Sequence, residues 1–265
     1  MDLQLESKRA LVTGGSRGIG LAVAHALAAE GVDVVIAARD KPSLDAAAAA
    51  IRAAHGRVAV GLTVDTAHDV SVSTLVAGAV EALGGIDILV NSAAAPGGQS
   101  RPPTLAEITD AAFWDDVNVK VMGYVRCARE VAPHMAANGW GRIINISGLA
   151  ARASGSTIGS IRNVAVAALT ANLAAELGPS GINVTVVHPG LTRTEKTAGV
   201  VASRAAAAGL EPREVERQMG AGTLIGRIVD ASEVADVVAF LASPRSVSIT
   251  GDAVATGGGS RAIHY

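Results

Sequence analysis

A glycine-rich segment at residues 13–20 contains the side chains and the spacing best suited to binding an anion. It lies between an apolar run at 10–12 and an apolar helix-forming stretch at 21–27. Because glycine has no side chain, backbone N–H groups at the start of a helix can approach a pyrophosphate, and the helix dipole favours its negative charge. The segment therefore predicts a dinucleotide site, although such a turn also closes ordinary strand–helix junctions. The candidate binding residues are Gly14, Ser16, Arg17, Gly18, Ile19 and Gly20.

Two arginines suggest which dinucleotide would bind. Arg17 lies inside the glycine segment, and Arg39 follows the second predicted strand, where Ala38 stands in place of an acid. An acid at that position usually holds the ribose hydroxyls of NAD, whereas guanidinium groups make bidentate contacts to a phosphate. The pair favours NADP(H), with NAD(H) as the alternative. In that alternative, Arg39 is solvated and Asp40 turns toward the ribose.

Composition and charge narrow the class of protein. The chain has 265 residues, 49% of them hydrophobic, and a net charge of −2, which gives no electrostatic reason to expect nucleic acid or an anionic membrane as a partner. No apolar run approaches the ~18 residues of a membrane span, and the first residues do not resemble a signal peptide, so we expect a cytoplasmic protein. A single cysteine excludes an internal disulfide, and the six scattered histidines predict no metal site.

Short β-branched runs alternate with alanine-rich amphipathic segments along the whole chain. This alternation predicts βαβ units, and thus an α/β domain with a doubly wound parallel sheet and helices on both faces. No linker marks a second domain, so residues 1–265 are predicted to form one unit. The seven predicted strands are 10–12, 32–37, 58–62, 86–90, 142–146, 182–187 and 252–255.

The pattern TGxxxGxG at 13–20 resembles that of the short-chain dehydrogenase/reductase family, and further landmarks follow in the family's order. The sequence Asn-Ser-Ala-Ala at 91–94 ends the fourth strand, and a Pro-Gly-x-x-x-Thr-like segment follows the sixth. The resemblance implies a Rossmann-type NAD(P)(H)-dependent oxidoreductase with a small-molecule substrate. It implies that Asp65 lies against the adenine. Further cofactor contacts are implied for Asn91, Ala93, Pro189, Gly190, Thr192 and Thr194.

The family's catalytic Tyr-x-x-x-Lys pair is missing. The chain has two tyrosines, at 124 and 265, and neither is followed by a lysine four residues on. Counting back from the alanine-rich helix that resembles the family's next element puts Gly159 at the tyrosine position and Asn163 at the lysine position. The family's catalytic serine falls on Gly148, one residue after Ser147. The family's asparagine matches either Asn118 or Lys120.

If Lys120 takes the asparagine position, the chain has exchanged the two residues, and its ammonium could replace the missing lysine. The alternative for Lys120 is a solvated surface lysine. A simple ketone reductase lacking its positioned acid would be slow, by ~10²–10⁴ in rate. Three explanations stay open: another donor acts (Ser147, Ser160, Lys120 or a water), the substrate needs no proton on oxygen, or the chain binds a nucleotide without transferring hydride.

The residues after the sixth strand and the alanine-rich helices predict a substrate class and an oligomeric state. A lid at about 195–227 supplies aliphatic residues such as Val200, Val201, Leu210, Met219 and Leu224, and the loop 95–99 forms the opposite wall. These suggest a small or medium apolar carbonyl, alcohol or imine-like substrate. Family members usually associate through the helices that match 117–137 and 158–177. We therefore expect a homotetramer, with a dimer as the next expectation.

Overall fold

Seven parallel strands form one sheet in the order β3-β2-β1-β4-β5-β6-β9, which confirms the predicted α/β fold. The computed structural model describes residues 1–94 and 101–259. The loop at 95–99, predicted to face the lid, lies outside the described residues, as does Tyr265. The strands of the sheet are β1 (Arg9–Thr13), β2 (Asp33–Ala38), β3 (Ala59–Thr63), β4 (Ile88–Asn91), β5 (Gly141–Ile146), β6 (Ile182–Pro189) and β9 (Ala253–Thr256).

Helices cover both faces of this sheet, as a parallel sheet requires. One face packs on α1, α2 and α9, and the other on α3, α5 and α6. The strand order reverses between β1 and β4, which places a crevice at the carboxyl ends of these two strands. The helices are α1 (Gly18–Ala29), α2 (Lys41–His55), α3 (Asp69–Leu83), α4 (Asp110–Val117), α5 (Gly123–Ala137), α6 (Thr157–Leu177), α7 (Thr197–Ala208), α8 (Pro212–Gly220) and α9 (Ala231–Ala242).

A π-helical stretch, Asn118–Met122, joins α4 to α5. The sequence predicted one helix over 117–137 and gave no sign of this irregularity. A π turn inserts an extra residue into the helical register, and such turns are frequent at functional sites. Lys120 lies at its centre and is only 4% exposed.

Two short strands outside the main sheet were not predicted. β7 (Thr192–Arg193) pairs in parallel with β8 (Val229–Asp230), at the two ends of the segment that carries α7 and α8. Arg193 reinforces this pairing, because its guanidinium pairs with Glu216 of α8 and donates to Asp230 at 2.8 Å. The β7–β8 pairing therefore joins the two ends of the predicted lid.

Candidate active site

The glycine turn between β1 and α1 has room for backbone only. Gly14 has φ of 69°, and a Cβ there would lie 2.8 Å from the backbone of Ser92. A Cβ on Gly20 would lie 2.3 Å from the carbonyl oxygen of Gly14. The turn is thus held tightly between β1 and β4, and its N–H groups lie at the first turn of α1. A side chain at either position would force the turn open.

An anionic side chain already lies at this helix N-terminus. The backbone N–H of Gly18 donates to Oε2 of Glu195, at 3.1 Å. A carboxylate oxygen here stands in for a phosphate oxygen, since helix N-termini attract both. The turn therefore fits the pyrophosphate of a dinucleotide.

The residues at the end of β4 are placed next to the turn, but in different ways. Thr13 Oγ1 accepts from the backbone N–H groups of Ser92 and Ala93 at 3.1 and 3.3 Å, which ties this strand end to β1. The Asn91 side chain is fully buried and donates to Asn145 Oδ1 at 3.0 Å. Its amide therefore joins β4 to β5 and is not open to the crevice.

The predicted adenosine end lies beside β2 and β3. Arg39 and Asp65 line one groove together with Thr63, Val64 and Ser71. Asp40 has a different role: its carboxylate accepts from the Ser43 backbone at 2.9 Å and caps α2. The hydrogen bonds from the Ser43 hydroxyl and N–H, followed by the charge of Arg17, lower the pKa of Asp40. In this structure the Asp40 carboxylate is engaged with its own helix, and Arg39 is the positively charged group that lines that groove.

The segment predicted to bind the nicotinamide end reaches across to the glycine turn. A Cβ on Gly190, after Pro189, would lie 2.8 Å from Gly257 Cα, so these two loops are in close contact. Thr192 Oγ1 donates to the Gly190 carbonyl at 3.0 Å. The methyl group of Thr194 lies 3.5 Å from the point where a Gly18 Cβ would stand.

Three of the predicted catalytic residues form one buried cluster. Lys120 Nζ donates to Asn163 Oδ1 at 2.9 Å and to the Ser147 carbonyl at 3.1 Å. The Ser147 hydroxyl donates to the Asn163 carbonyl at 3.0 Å. Lys120 therefore occupies the interior beside α6, and the alternative of a solvated surface lysine is wrong.

Burial changes the acidity of this lysine. Desolvation, followed by repulsion from Arg162, lowers the pKa of Lys120 to about 7, against a smaller opposing effect of Asp116. His188, at the end of β6, is also buried; desolvation, Arg152 and Lys120 lower its pKa to about 4. Near neutral pH the imidazole is uncharged, while Lys120 is divided between amine and ammonium.

The remaining candidates lie outside this cluster. Ser160 donates to the Ala153 carbonyl at 3.0 Å, on the turn before α6. Asn118 donates weakly to the Ala67 carbonyl at 3.4 Å, so Lys120 rather than Asn118 faces Ser147. Tyr124 was not among the predicted site residues; its hydroxyl donates to the Ile146 carbonyl at 2.9 Å, and burial raises its pKa. Because this hydroxyl is buried and already donates to the backbone of β5, Tyr124 does not replace the missing tyrosine.

Comparisons with known proteins agree with this architecture. The sequence matches the family model described as Enoyl-(Acyl carrier protein) reductase over residues 14–261. It is 40% identical to the short-chain reductase protein NovJ of Streptomyces niveus, covering 94% of this chain and 92% of NovJ. The chain belongs to the short-chain dehydrogenase/reductase family.

Solved structures of this family superpose closely. L-Sorbose reductase from Gluconobacter frateurii, complexed with NADPH and L-sorbose, has a TM-score of 0.93 at 29% identity, with both chains covered completely. An actinorhodin polyketide ketoreductase with NADPH has a TM-score of 0.86 at 33% identity, covering 95% of this chain and 96% of its own. The family's sheet and crevice are therefore present along the described chain.

Within this short-chain dehydrogenase/reductase fold, only some of the predicted lid residues line a groove. Val201 is buried between α7 and α8, and Met219 packs against it, so neither residue faces a ligand groove. Val200 does line a groove beside the glycine turn, in the company of charged groups. That groove is lined by Glu195, Lys196, Gly199, Val200, Ser203 and Arg204.

Proposed function

We propose that this chain is an NADP(H)-dependent oxidoreductase in which Lys120 does the work of the missing tyrosine–lysine pair. The buried bridge from Lys120 to Asn163 and to the Ser147 carbonyl, just after the carboxyl end of β5, carries the proposal. Arg39 in the adenosine groove supports NADP(H) over NAD(H). Relatives crystallised with NADPH support the same cofactor.

Each group of site residues has its own proposed role in binding or proton transfer. The glycine turn at 14–20 would bind the pyrophosphate through backbone N–H groups, and Thr192 and Thr194 would hold the nicotinamide end. When bound, the dinucleotide would supply or accept the hydride. Lys120 Nζ uses two of its three N–H groups on Asn163 and Ser147, and the proposal requires the third to reach the substrate. As an ammonium it gives that proton to the oxygen of a carbonyl and becomes an amine; in the oxidation direction the amine takes the proton back.

The substrate we propose is a small or medium carbonyl compound, its alcohol, or an imine-like compound. Val200 offers an apolar contact in the groove beside the glycine turn, and Lys196 and Arg204 add positive charge there. The cluster at Lys120 is neutral or positive, which suits the developing negative charge on a carbonyl oxygen.

A second function has its own supporting observation. Lys120 is 4% exposed, and the Ser147 hydroxyl donates to Asn163, so the polar groups of the cluster bond to one another. Gly159 adds no side chain where the family has its tyrosine. This arrangement also suits a nucleotide-binding protein without redox turnover.

Two measurements separate these functions. Calorimetric titration should give binding of NADPH that is tighter than binding of NADH, and Gly18→Val should abolish it by placing a side chain against the pyrophosphate. Turnover is then measured on a panel of carbonyl and imine compounds. The redox proposal requires turnover that falls at least ~10²-fold in Lys120→Ala. Asn118→Ala, which alters the same helical stretch outside the cluster, is the matched control.

The outcomes are distinct. Binding with no turnover on any compound supports the second function. Binding of neither dinucleotide contradicts both functions. Equal loss of turnover in Lys120→Ala and Asn118→Ala contradicts the role of Lys120.

A further inference from the structure

Two side-chain contacts join α4 and the π-helical stretch 118–122 to α6. Neither contact is the one expected from the spacing of the residues along the helix. Asp116 and Lys120 are four residues apart, the spacing at which an acid and a lysine on a helix normally pair. Here Asp116 pairs instead with Arg162, while Lys120 donates to Asn163, the next residue along α6. The π turn that begins at Asn118 changes the register between Asp116 and Lys120.

The Asp116–Arg162 pair is largely buried. The side chains are 15% and 14% exposed, in contrast to the surface pairs on α2 and α8. Burying two charges is costly, and such pairs often contribute little to stability compared with apolar residues. The Arg162 Nε–H is buried without a hydrogen-bond partner among the described residues. The pair is therefore a poor stabiliser, and its position beside Lys120 calls for another explanation.

The charges around Lys120 explain what the pair does. Both acceptors of Lys120 are neutral oxygens, from the Asn163 amide and the Ser147 carbonyl. A direct contact with Asp116 would hold Lys120 as an ammonium over the whole physiological range. Arg162 pairs with Asp116, and its positive charge also repels the ammonium form of Lys120. Both effects favour the neutral amine.

We propose that Asp116 and Arg162 are a positioning pair, in which Arg162 keeps Asp116 away from Lys120 and so leaves Lys120 free to exchange a proton at the reacting end. This inference rests on the proposed function of Lys120 and adds how its proton is controlled. Neither residue of the pair is catalytic, because both act through Lys120.

The other groups near Lys120 do not substitute for the pair. From β6, His188 faces the same cluster but stays uncharged near neutral pH, since its pKa is lowered to about 4. Arg152, on the turn after β5, acts on His188. Ser147 and Asn163 carry no charge. Among the charged side chains, Asp116 and Arg162 act on Lys120 in opposite directions.

The test is a direct titration of Lys120 by NMR on the full chain without cofactor. The sequence has four lysines, at 8, 41, 120 and 196, so ¹⁵N-labelled side-chain signals can be assigned with single lysine-to-arginine variants. The measured quantity is the pH midpoint of Lys120. Because no substrate takes part, a lack of turnover would leave this titration intact, and the two proposals can fail separately.

The two halves of the pair should shift this midpoint in opposite directions. Arg162→Met frees Asp116 to pair with Lys120 and should raise the midpoint by about 1 or more. Asp116→Asn removes the attraction and leaves Arg162, so the midpoint should fall by about 1. The controls Arg129→Met and Asp45→Asn remove the same charges from exposed pairs and should leave the midpoint unchanged.

Midpoint shifts in the same direction, or no shift in either single variant, would overturn the proposal. Should a single variant fail to fold, the double variant Asp116→Asn/Arg162→Met leaves no unpaired charge. Because the repulsion from Arg162 outweighs the attraction of Asp116, the midpoint of Lys120 should rise in this variant, by less than in Arg162→Met. A midpoint that falls or does not change in the double variant would equally overturn the proposal.

Discussion

Glu195 is the residue that we expect to compete with a cofactor. Its carboxylate accepts the Gly18 N–H that a pyrophosphate oxygen needs, and Glu195 is exposed on the lid segment. We predict that Glu195→Gln binds NADPH more tightly, by about 3- to 10-fold, because a neutral amide competes less well for the helix N-terminus and repels the phosphates less. Calorimetry measures this affinity. Glu211→Gln changes the same charge elsewhere on the lid and should have no effect. Equal or weaker affinity in Glu195→Gln would be inconsistent with competition.

Lys120 makes stability depend on pH. Its pKa is about 7 in the folded protein, against 10.5 for an unperturbed lysine, so the unfolded chain binds the extra proton between these two values. The unfolding free energy should therefore rise with pH, by up to about 1.4 kcal/mol per pH unit from this group. The slope is best measured between about pH 7 and 8.5. At higher pH the raised pKa of Cys127 makes the unfolding free energy fall with pH, which opposes the contribution of Lys120. Urea unfolding measures the slope.

Lys120→Met removes this titration. We expect the variant to lose most of the slope between about pH 7 and 8.5 and to gain stability at the lower end of that window, where the wild-type ammonium is buried at a cost. The conservative comparison is Lys41→Met, which removes an exposed lysine of α2. A slope that persists in Lys120→Met would place the pH dependence on another group.

The site residues differ in how far the sequence could predict them. The glycine turn follows from local spacing, because phosphate binding and tight backbone contact both require residues without side chains. Lys120 and Asn163 could be predicted only as alternatives, since their contact depends on the register of two helices distant in sequence. The Asp116–Arg162 pair was not predicted. Asp116 and Lys120 have the spacing at which an acid and a lysine on one helix normally pair, and nothing in the sequence indicates that each instead contacts α6.

The π-helical stretch and the start of α6 are the elements that set the catalytic arrangement. A Cβ on Gly159 would lie 2.7 Å from Ser156 Oγ, which accepts from the Gly159 N–H and caps α6. Restoring a tyrosine there therefore requires Ser156 to rotate, at a cost of about 1 kcal/mol for the lost cap. Asn163→Lys must be combined with Lys120→Asn, because two buried ammonium groups would repel each other.

The triple variant Gly159→Tyr/Asn163→Lys/Lys120→Asn restores the family pattern. We expect it to reduce simple ketones at least ~10²-fold faster than Lys120→Asn, the rate gain of a positioned acid. NADPH consumption measures the rate. Lys120→Asn alone serves as the comparison, since it has neither the Lys120 ammonium nor a tyrosine at position 159. If the triple variant were no faster than this single variant, the crevice would lack some further requirement for hydride transfer.

The strands of the main sheet were predictable because each is a short run with β-branched residues between helical segments. The pair β7–β8 was not, since two-residue strands leave no periodic pattern and their pairing depends on contacts of Arg193 with α8 and Asp230. The π turn was missed for a similar reason: it is set by packing of Lys120 against β5 and α6.

At the scale of the whole molecule, the α4–α6 surface is apolar and open. Val164 is 50% exposed and Ile161 46%, in α6, one of the two helices through which family members usually associate, and Trp114 on the neighbouring α4 is 63% exposed. By length and composition the helix Thr157–Ser180 could cross a membrane, so the expectation that no apolar run approaches this length was wrong. It packs against β6 through Val166, and 33% of its apolar window is buried. A second copy of the chain would cover this surface. The cytoplasmic location remains a prediction.

We predict a homotetramer or dimer by light scattering at micromolar concentration. Val164→Arg places a charge in the centre of the α6 surface and should shift the mass toward the monomer. Val70→Arg, on an exposed site at the start of α3, should not. A monomeric mass for the unmodified chain would contradict this assembly.

The central claim, that Lys120 is the proton donor, is tested most directly by the pH dependence of kcat/KM for carbonyl reduction with NADPH. The donor must be an ammonium, so kcat/KM should be constant below the pKa of about 7 and fall tenfold per pH unit above it. Lys120→Met should be at least ~10²-fold slower and show no break in this range. A profile in the unmodified protein without a break near neutral pH, or a Lys120→Met variant with an unchanged rate and profile, would contradict the claim.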